Sequence, residues 1–164
     1  MKNPVLLLAF TLPFFLGAGC ANGAHPNGLV NTSVPQAATS DDRRLDLHGM
    51  RLTSVPTDVF SRTDLVAVDL SGNRLTGALP AEIRRLQSLR SLDASDNAMT
   101  GVPAEIGQLK ALRFLDLSHN RLTGLPHELS QLTGLEFLDL TGNGISEEDF
   151  RIIRSSLQKT RILR

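Results

Sequence analysis

The chain has 164 residues, and its 17 basic and 17 acidic side chains give a formal net charge of zero. It contains neither Trp nor Tyr, whereas nucleic-acid-binding proteins combine a basic face with stacking aromatic side chains. The composition therefore argues against a nucleic-acid partner, and a single cysteine cannot supply an internal disulfide framework.

Residues 1–19 have the character of a secretory signal peptide. Lys2 is their only charged residue, an apolar run extends from Val5 to Leu16, and small residues follow at 17–19. The run is too short to cross a hydrocarbon core of ~30 Å as a helix. A basic start, an apolar centre and a small-residue exit are typical of a signal that is removed on export.

Cys20 follows this segment directly and is the only cysteine. The sequence Leu16-Gly-Ala-Gly-Cys20 resembles the bacterial lipobox, in which the cysteine is lipid-modified and becomes the new N-terminus, although Gly17 stands where Leu is usual. The resemblance implies an acyl anchor on Cys20. Because Ala21, and not Asp, follows the cysteine, the resemblance also favours the outer over the inner membrane. The chain would then lie on the periplasmic or the surface face of the outer membrane.

The alternative for this region is ordinary cleavage, which would leave a free thiol on a secreted protein. Asn31-Thr-Ser33 matches a glycosylation acceptor, so a eukaryotic secreted protein also stays open. Residues 20–41 are rich in Gly, Asn, Ser, Thr, Pro and Ala without an apolar period, which predicts a flexible tether with a mean span of ~25 Å. His25 is interpreted as a solvated tether residue.

One apolar template recurs through the rest of the chain every 23 or 24 residues. It is clearest in Leu112, Leu115, Leu117, Asn120 and Leu122, and it returns in Leu135, Leu138, Leu140, Asn143 and Ile145. The template resembles the leucine-rich repeat, L-x-x-L-x-L-x-x-N-x-L. Asp42, Met50 and Ala94 depart from it, and the first two suit a terminal repeat, which has no upstream neighbour to bury against.

The resemblance implies an α/β-type leucine-rich repeat solenoid of about five repeats over residues 42–145. Short parallel strands would stack ~4.8 Å apart on the concave side, and irregular or short helical segments would return the chain on the convex side. One Asn per repeat is expected to turn inward and to bond backbone groups that have no ladder partner. These residues are Asn73, Asn97, Asn120 and Asn143.

Residues 146–164 are predicted to cap the last repeat with a helix and a strand. Ser146 and the carboxylates at 147–149 place a capping hydroxyl and negative charge at a helix start. Three apolar residues then keep helical spacing, namely Phe150, Ile153 and Leu157. Residues 160–163 have the composition of a final strand, and their Arg side chain would discourage further stacking.

The residues that flank the inward strand positions form three columns across the repeats. The first is Arg44, Ala67, Ser91, Phe114 and Phe137; the second is Asp46, Asp69, Asp93, Asp116 and Asp139; the third is His48, Ser71, Ser95, Ser118 and Thr141. The Asp column is interpreted as part of the family's common L-D-L-S strand. Calcium needs six to eight oxygens around one point, which a straight ladder does not supply, so no metal site is predicted.

Phe114 and Phe137 share a column on adjacent strands and are predicted to lie side by side in solvent as an interaction patch. Asp116 and Asp139 lie on the same face. A partly basic rim is expected from Arg90, Arg113, His119 and Arg121. The alternative is that the two rings pack on each other and on the cap and so shield the last strands.

No catalytic arrangement is recognisable, because the chain lacks a nucleophile elbow and a Gly-rich phosphate loop. The sequence predicts an exported, non-enzymatic and monomeric module without a cofactor, anchored through Cys20, whose concave face binds a protein or peptide. The alternative is a structural cell-envelope lipoprotein that self-associates without a dedicated ligand. Sedimentation of the chain without Cys20 would separate the two, because only the second predicts concentration-dependent oligomers.

Overall fold

The computed structural model describes residues 42–164, so the predicted signal peptide, Cys20, the tether and Asn31 lie outside the described residues. The strands of the described part are β1 (Arg44–Asp46), β2 (Ala67–Asp69), β3 (Thr76–Ala78), β4 (Ser91–Asp93), β5 (Ala98–Gly101), β6 (Phe114–Asp116), β7 (Phe137–Asp139) and β8 (Arg161–Leu163). An α-helix, α1 (Glu147–Ser156), precedes β8. Within 42–164, no helix has the length and apolar character needed to span a membrane.

Six strands form one parallel sheet in the order β1-β2-β4-β6-β7-β8. Their central residues are register neighbours, namely Leu45, Val68, Leu92, Leu115, Leu138 and Ile162. The first five are at most 5% exposed. Because each of these side chains is covered by its neighbours in the adjacent repeats, no repeat buries its apolar side alone. The predicted solenoid of stacked parallel strands is confirmed.

Short 3-10 turns return the chain from one strand of this sheet to the next. They span Thr57–Ser61, Ala81–Arg85, Ala104–Gln108 and His127–Gln131. Each turn follows a proline with φ between −59° and −73°, a value that the pyrrolidine ring fixes. Each also buries an aliphatic side chain: Val59, Ile83, Ile106 or Leu129. The expected short helical segments are therefore present.

A second, two-stranded parallel sheet joins β3 to β5. Its register shifts between Gly77, which pairs with Met99, and Ala78, which pairs with Gly101, so that Thr100 of β5 is left without a partner. An extra residue in one strand of a pair has no partner in the other and forms a bulge. Gly77 has a φ of 71°, a backbone conformation that residues other than glycine rarely adopt. The apolar pattern did not predict this second sheet.

α1 and β8 cover the last repeat. The Ser146 Oγ accepts a hydrogen bond from the Asp149 backbone N–H at 3.1 Å, which satisfies one of the unpaired N–H groups at the helix start. Ile153 and Leu157 are buried, and Phe150 packs against the core. β8 pairs in parallel with β7. The helix and strand of the predicted cap are both present.

Candidate functional site

A ladder of asparagine amides ties each repeat to the one before it. The Asn120 Oδ1 accepts from the Met99 N–H at 3.0 Å, and its Nδ2 donates to the Ala94 carbonyl at 2.9 Å, both in the preceding repeat. Nδ2 also donates to the carbonyls of Leu117 and Ser118. Bonds to the preceding repeat are likewise made by Asn73, Asn97 and Asn143. The ladder satisfies backbone groups that the strands do not pair, and so it fixes the spacing of the sheet.

The residue before each ladder Asn has a left-handed backbone, and so has Gly49 before Met50, which takes the place of the Asn in the first repeat. These residues are Gly49, Gly72, Asp96, His119 and Gly142, with φ between 52° and 73°. Glycine adopts this conformation without steric cost, and Asp and His are among the other residues that tolerate it. A Cβ at Gly142 would lie 2.6 Å from the His119 Nδ1. His119 therefore packs against the turn of the next repeat, beyond the end of β6.

The carboxylates of the Asp column stabilise the turns that follow the strands. The Asp93 Oδ1 accepts from the Ser95 backbone N–H at 3.0 Å and from its hydroxyl at 2.7 Å. The same pair of bonds joins Asp69 to Ser71 and Asp116 to Ser118, and Asp139 accepts from the Thr141 N–H at 2.9 Å. Side-chain bonds to the backbone two residues on are a turn device, so one carboxylate oxygen in each of these repeats is used by the fold.

Burial raises the pKa of Asp93 above its usual value; the charges of Asp116 and Asp69 add to the rise, and hydrogen bonds from Ser95 oppose it. Because the folded-state pKa lies above the unfolded one, ionised Asp93 lowers stability at neutral pH, and stability increases as the pH falls through the folded pKa. Over residues 42–164, no three His, Cys, Asp or Glu side chains are grouped so that they could hold a metal ion.

Phe114 and Phe137 are register neighbours on β6 and β7. Phe114 is 49% exposed and is, with Met50, one of the large hydrophobic side chains that the described residues leave exposed. Phe137 is half-buried, in contrast to the expectation that both rings lie in solvent. The reason is its neighbours in the sheet, since Phe137 lies between the large side chains of Phe114 and Arg161, whereas Phe114 has the small Ser91 on its other side. We name Phe114 and Phe137 the aromatic patch.

The basic residues expected around the aromatic patch lie in two groups. Arg90 and Arg113 are exposed and directly precede β4 and β6. The Arg113 Nη1 donates to the Gly134 carbonyl at 2.8 Å, which ties its guanidinium to the start of the next repeat. His119 and Arg121 are also exposed, but they follow β6. The sheet face that carries the patch therefore has positive side chains at both ends of its strands.

Arg161 extends the column of the aromatic patch, and the sequence analysis did not assign it there. It is the register partner of Phe137, and its side chain is exposed. The signal was available, because residues 160–163 were expected to form a strand, and a strand that continues the register also continues the columns. At the cap, this column reads Phe114, Phe137, Arg161.

The Leucine rich repeat family matches residues 43–99 and 95–145, and the match ends before α1 and β8. Among solved structures, a leucine-rich repeat protein of Leptospira interrogans is 43% identical, with a TM-score of 0.65 over 68% of this chain and 28% of its own. The functional domain of InlJ from Listeria monocytogenes, which includes a cysteine ladder, is 29% identical, with a TM-score of 0.60 over 74% of this chain and 24% of its own.

A crystal structure of PEPR1–AtPEP1 is 32% identical, with a TM-score of 0.50 over 54% of this chain and 13% of its own. The chain therefore spans between 13% and 28% of the length of these three proteins. No curated protein sequence matches it significantly.

Proposed function

The chain belongs to the leucine-rich repeat family, and we propose that it is a non-enzymatic module that binds a protein or peptide on the face of its six-stranded sheet that carries the aromatic patch. Leucine-rich repeat domains generally mediate protein–protein interaction. The similarity to PEPR1–AtPEP1 supports a protein or peptide as the class of partner.

The single observation that carries this proposal is the exposure of Phe114. Its ring is 49% accessible on a well-paired strand, and a partner that covers it would also contact Phe137 beside it. Buried aromatic side chains supply a large share of binding energy at interfaces. Asp116 and Asp139 lie two residues further along the same strands and present carboxylates on the same face. The flanking side chains of Arg90, Arg113, His119 and Arg121 would select and orient the partner, the three arginines through their charges at the rim.

Phe114→Asp is expected to reduce partner capture at least ~10-fold, since the loss of a central aromatic contact costs about 2 kcal/mol or more. Capture would be measured by crosslinking the purified chain in cell envelopes of the source organism, followed by mass spectrometry. The unfolding free energy should fall by less than about 1 kcal/mol, because the ring lies on the surface.

Ser91→Asp is the matched control for this substitution. Ser91 precedes Phe114 in the same column on β4 and receives the same charge without the loss of a ring. It should capture the partner as the unchanged chain does. The proposal fails if Phe114→Asp captures normally, and a large fall in thermal midpoint for that variant would instead assign Phe114 a structural role.

We also propose that Cys20 carries a lipid and anchors the module in a bacterial outer membrane after export. The support is the sequence Leu16-Gly-Ala-Gly-Cys20 and the polar tether that follows it. A single acyl chain binds a membrane only marginally, and stable anchoring needs a second signal such as another acyl chain. We therefore expect the lipid on Cys20 to contain more than one acyl chain.

Cells that express the chain with a labelled fatty acid should incorporate label into the wild type, and Cys20→Ser should lose essentially all of it. The wild type should fractionate with outer membranes, whereas Cys20→Ser should be recovered in soluble fractions, because ~0.8 kcal/mol is lost for each acyl CH₂ no longer buried. Ser33→Ala, in the same tether, is the control. Unlabelled wild type would overturn the lipidation of Cys20.

A further inference from the structure

The outer edge of β8 presents backbone groups that the described sheet does not pair. Within residues 42–164, β8 has a strand neighbour on one side only, β7. On that side the Arg161 N–H donates to the Glu136 carbonyl at 2.9 Å, and the Leu163 carbonyl accepts from the Leu140 N–H at 3.0 Å. Since backbone groups alternate in direction along a strand, the N–H and C=O of Ile162 point away from β7. Such an edge can accept a further strand.

A shallow groove lies beside this edge. It has a volume of about 400 Å³ and is lined by Arg154, Leu157, Gln158, Thr160, Arg161 and Ile162. Leu157 is buried, whereas Ile162 is half-buried. Leu138, the inward register partner of Ile162 on β7, is 0% exposed. The difference arises because Leu138 is covered by a strand on each side and Ile162 by a strand on one side.

The charge around the groove is positive. Arg151 and Arg164 form ion pairs with Glu148 and Glu147 on α1, and their charges are thereby neutralised. Two other cations line the groove, Arg154 and Arg161, and Lys159 lies between them in the chain. Across residues 42–164, none of these three has a carboxylate within ion-pairing distance. Arg154 lies 5.9 Å from the Phe150 ring centroid, a cation–π contact that supplies no opposite charge.

We propose that the open edge of β8 binds an extended acidic segment of a partner protein, which adds as a seventh strand to the sheet. Strand addition supplies main-chain hydrogen bonds through Ile162, and alternate side chains supply specificity. A residue beside Arg161 would lie on the same face as the guanidinium and would be Asp or Glu. The next residue would point inward beside Ile162 and would be aliphatic, covering the half-buried Ile162 side chain.

A second copy of the chain is a poorer occupant of this edge. Pairing of β8 with β8 would bring Arg154, Lys159 and Arg161 of both copies together, and like charges at such distances repel. An acidic segment has the complementary charge, which also accelerates encounter. The site goes beyond binding at the aromatic patch, because it uses the backbone and the inward side of β8, and only Arg161 borders both surfaces.

Two labelled peptides test this proposal on the 164-residue chain, one of alternating Glu and Val and one of alternating Lys and Val. Fluorescence polarisation should show binding of the Glu–Val peptide at least ~10-fold tighter than that of the Lys–Val peptide. The double variant Arg154→Glu/Arg161→Glu should weaken Glu–Val binding at least ~10-fold. The milder Arg161→Gln should weaken it about threefold and keeps the test valid if the double variant does not fold.

Arg74→Glu/Arg85→Glu is the matched control, since both side chains are exposed in another repeat and the charge change is the same. It should bind within about twofold of the wild type, because rim and remote charges contribute little once they are screened. Phe114→Asp should also bind the Glu–Val peptide normally, so that failure of this site and failure of the proposed function can be told apart.

Amide hydrogen exchange supplies the structural readout. The N–H of Ile162 should exchange at least ~10-fold more slowly at saturating Glu–Val peptide, because strand addition would protect it. Binding without this protection would overturn strand addition, and equal affinity for both peptides would overturn the acidic preference. A chain that sediments as a dimer and binds neither peptide would assign the edge to a second copy.

Discussion

Asn120→Ala should be among the most destabilising single substitutions in the described part of the chain. The side chain is 7% exposed and bonds one N–H and three carbonyls of two adjacent repeats. Alanine would leave these buried backbone groups without their partner, at about 1–3 kcal/mol for each group that stays unsatisfied. We expect a loss of about 3–5 kcal/mol in unfolding free energy, measured by denaturant unfolding followed by circular dichroism.

Asn143→Ala and Gln108→Ala are the comparisons for this prediction. Asn143 is half-buried in the last repeat and makes fewer hydrogen bonds to the backbone than Asn120, so its loss should be smaller. Gln108 is an exposed amide, and its removal should change stability by no more than about 0.5 kcal/mol. Equal effects at Asn120 and Gln108 would show that the ladder does not hold the repeats together.

Gly107→Ala should destabilise the fold by about 3 kcal/mol, although it adds a single methyl group. A Cβ at this position would lie 2.3 Å from the Glu128 carbonyl oxygen and 2.8 Å from the Glu128 Cβ in the next repeat. A backbone carbonyl cannot swing aside as a flexible side chain can, so the turns Ala104–Gln108 and His127–Gln131 would have to separate. Thermal unfolding should show a midpoint lower by roughly 10 °C.

Gly101→Ala separates this contact from the general effect of replacing glycine. Its nearest neighbour would be the Ala78 Cβ at 3.6 Å, an ordinary contact, and its backbone is not left-handed. Stability should therefore stay within about 0.5 kcal/mol of the wild type. A Gly107→Ala protein as stable as Gly101→Ala would mean that the two turns can move apart freely.

The repeat architecture could be predicted because every repeat carries the same local information. Leu92, Leu115 and Leu138 recur at one phase and are all at most 1% exposed in register with one another. Partner binding by the aromatic patch and lipidation of Cys20 stay predictions, because they depend on molecules outside the chain. The second sheet was not predicted, because Gly77, which pairs with Met99, contributes no apolar side chain to a periodic pattern.

The half-burial of Phe137 shows a different limit. Alternation along β7 places its side chain on the sheet face that Phe114 shares, and the pattern gives both rings the same exposure. The structure makes them unequal, because β8 adds Arg161 beside Phe137. The exposure of a side chain at the end of the stack depends on the side chains of the last strand. That strand is β8, and the family match ends before it.

The sequence by itself determined which side chains face inward, where each strand stands in its repeat, and which Asn lies at each turn, because a period of about 23 residues specifies all three repeatedly. Only the tertiary structure decided how close neighbouring repeats approach. Arg84 occupies in one repeat the position that Gly107 occupies in the next, and a Cβ added at Gly107 would lie 2.3 Å from the Glu128 carbonyl oxygen of the following turn. That distance follows from the packing of whole repeats against each other, and no residue pattern within a single repeat encodes it.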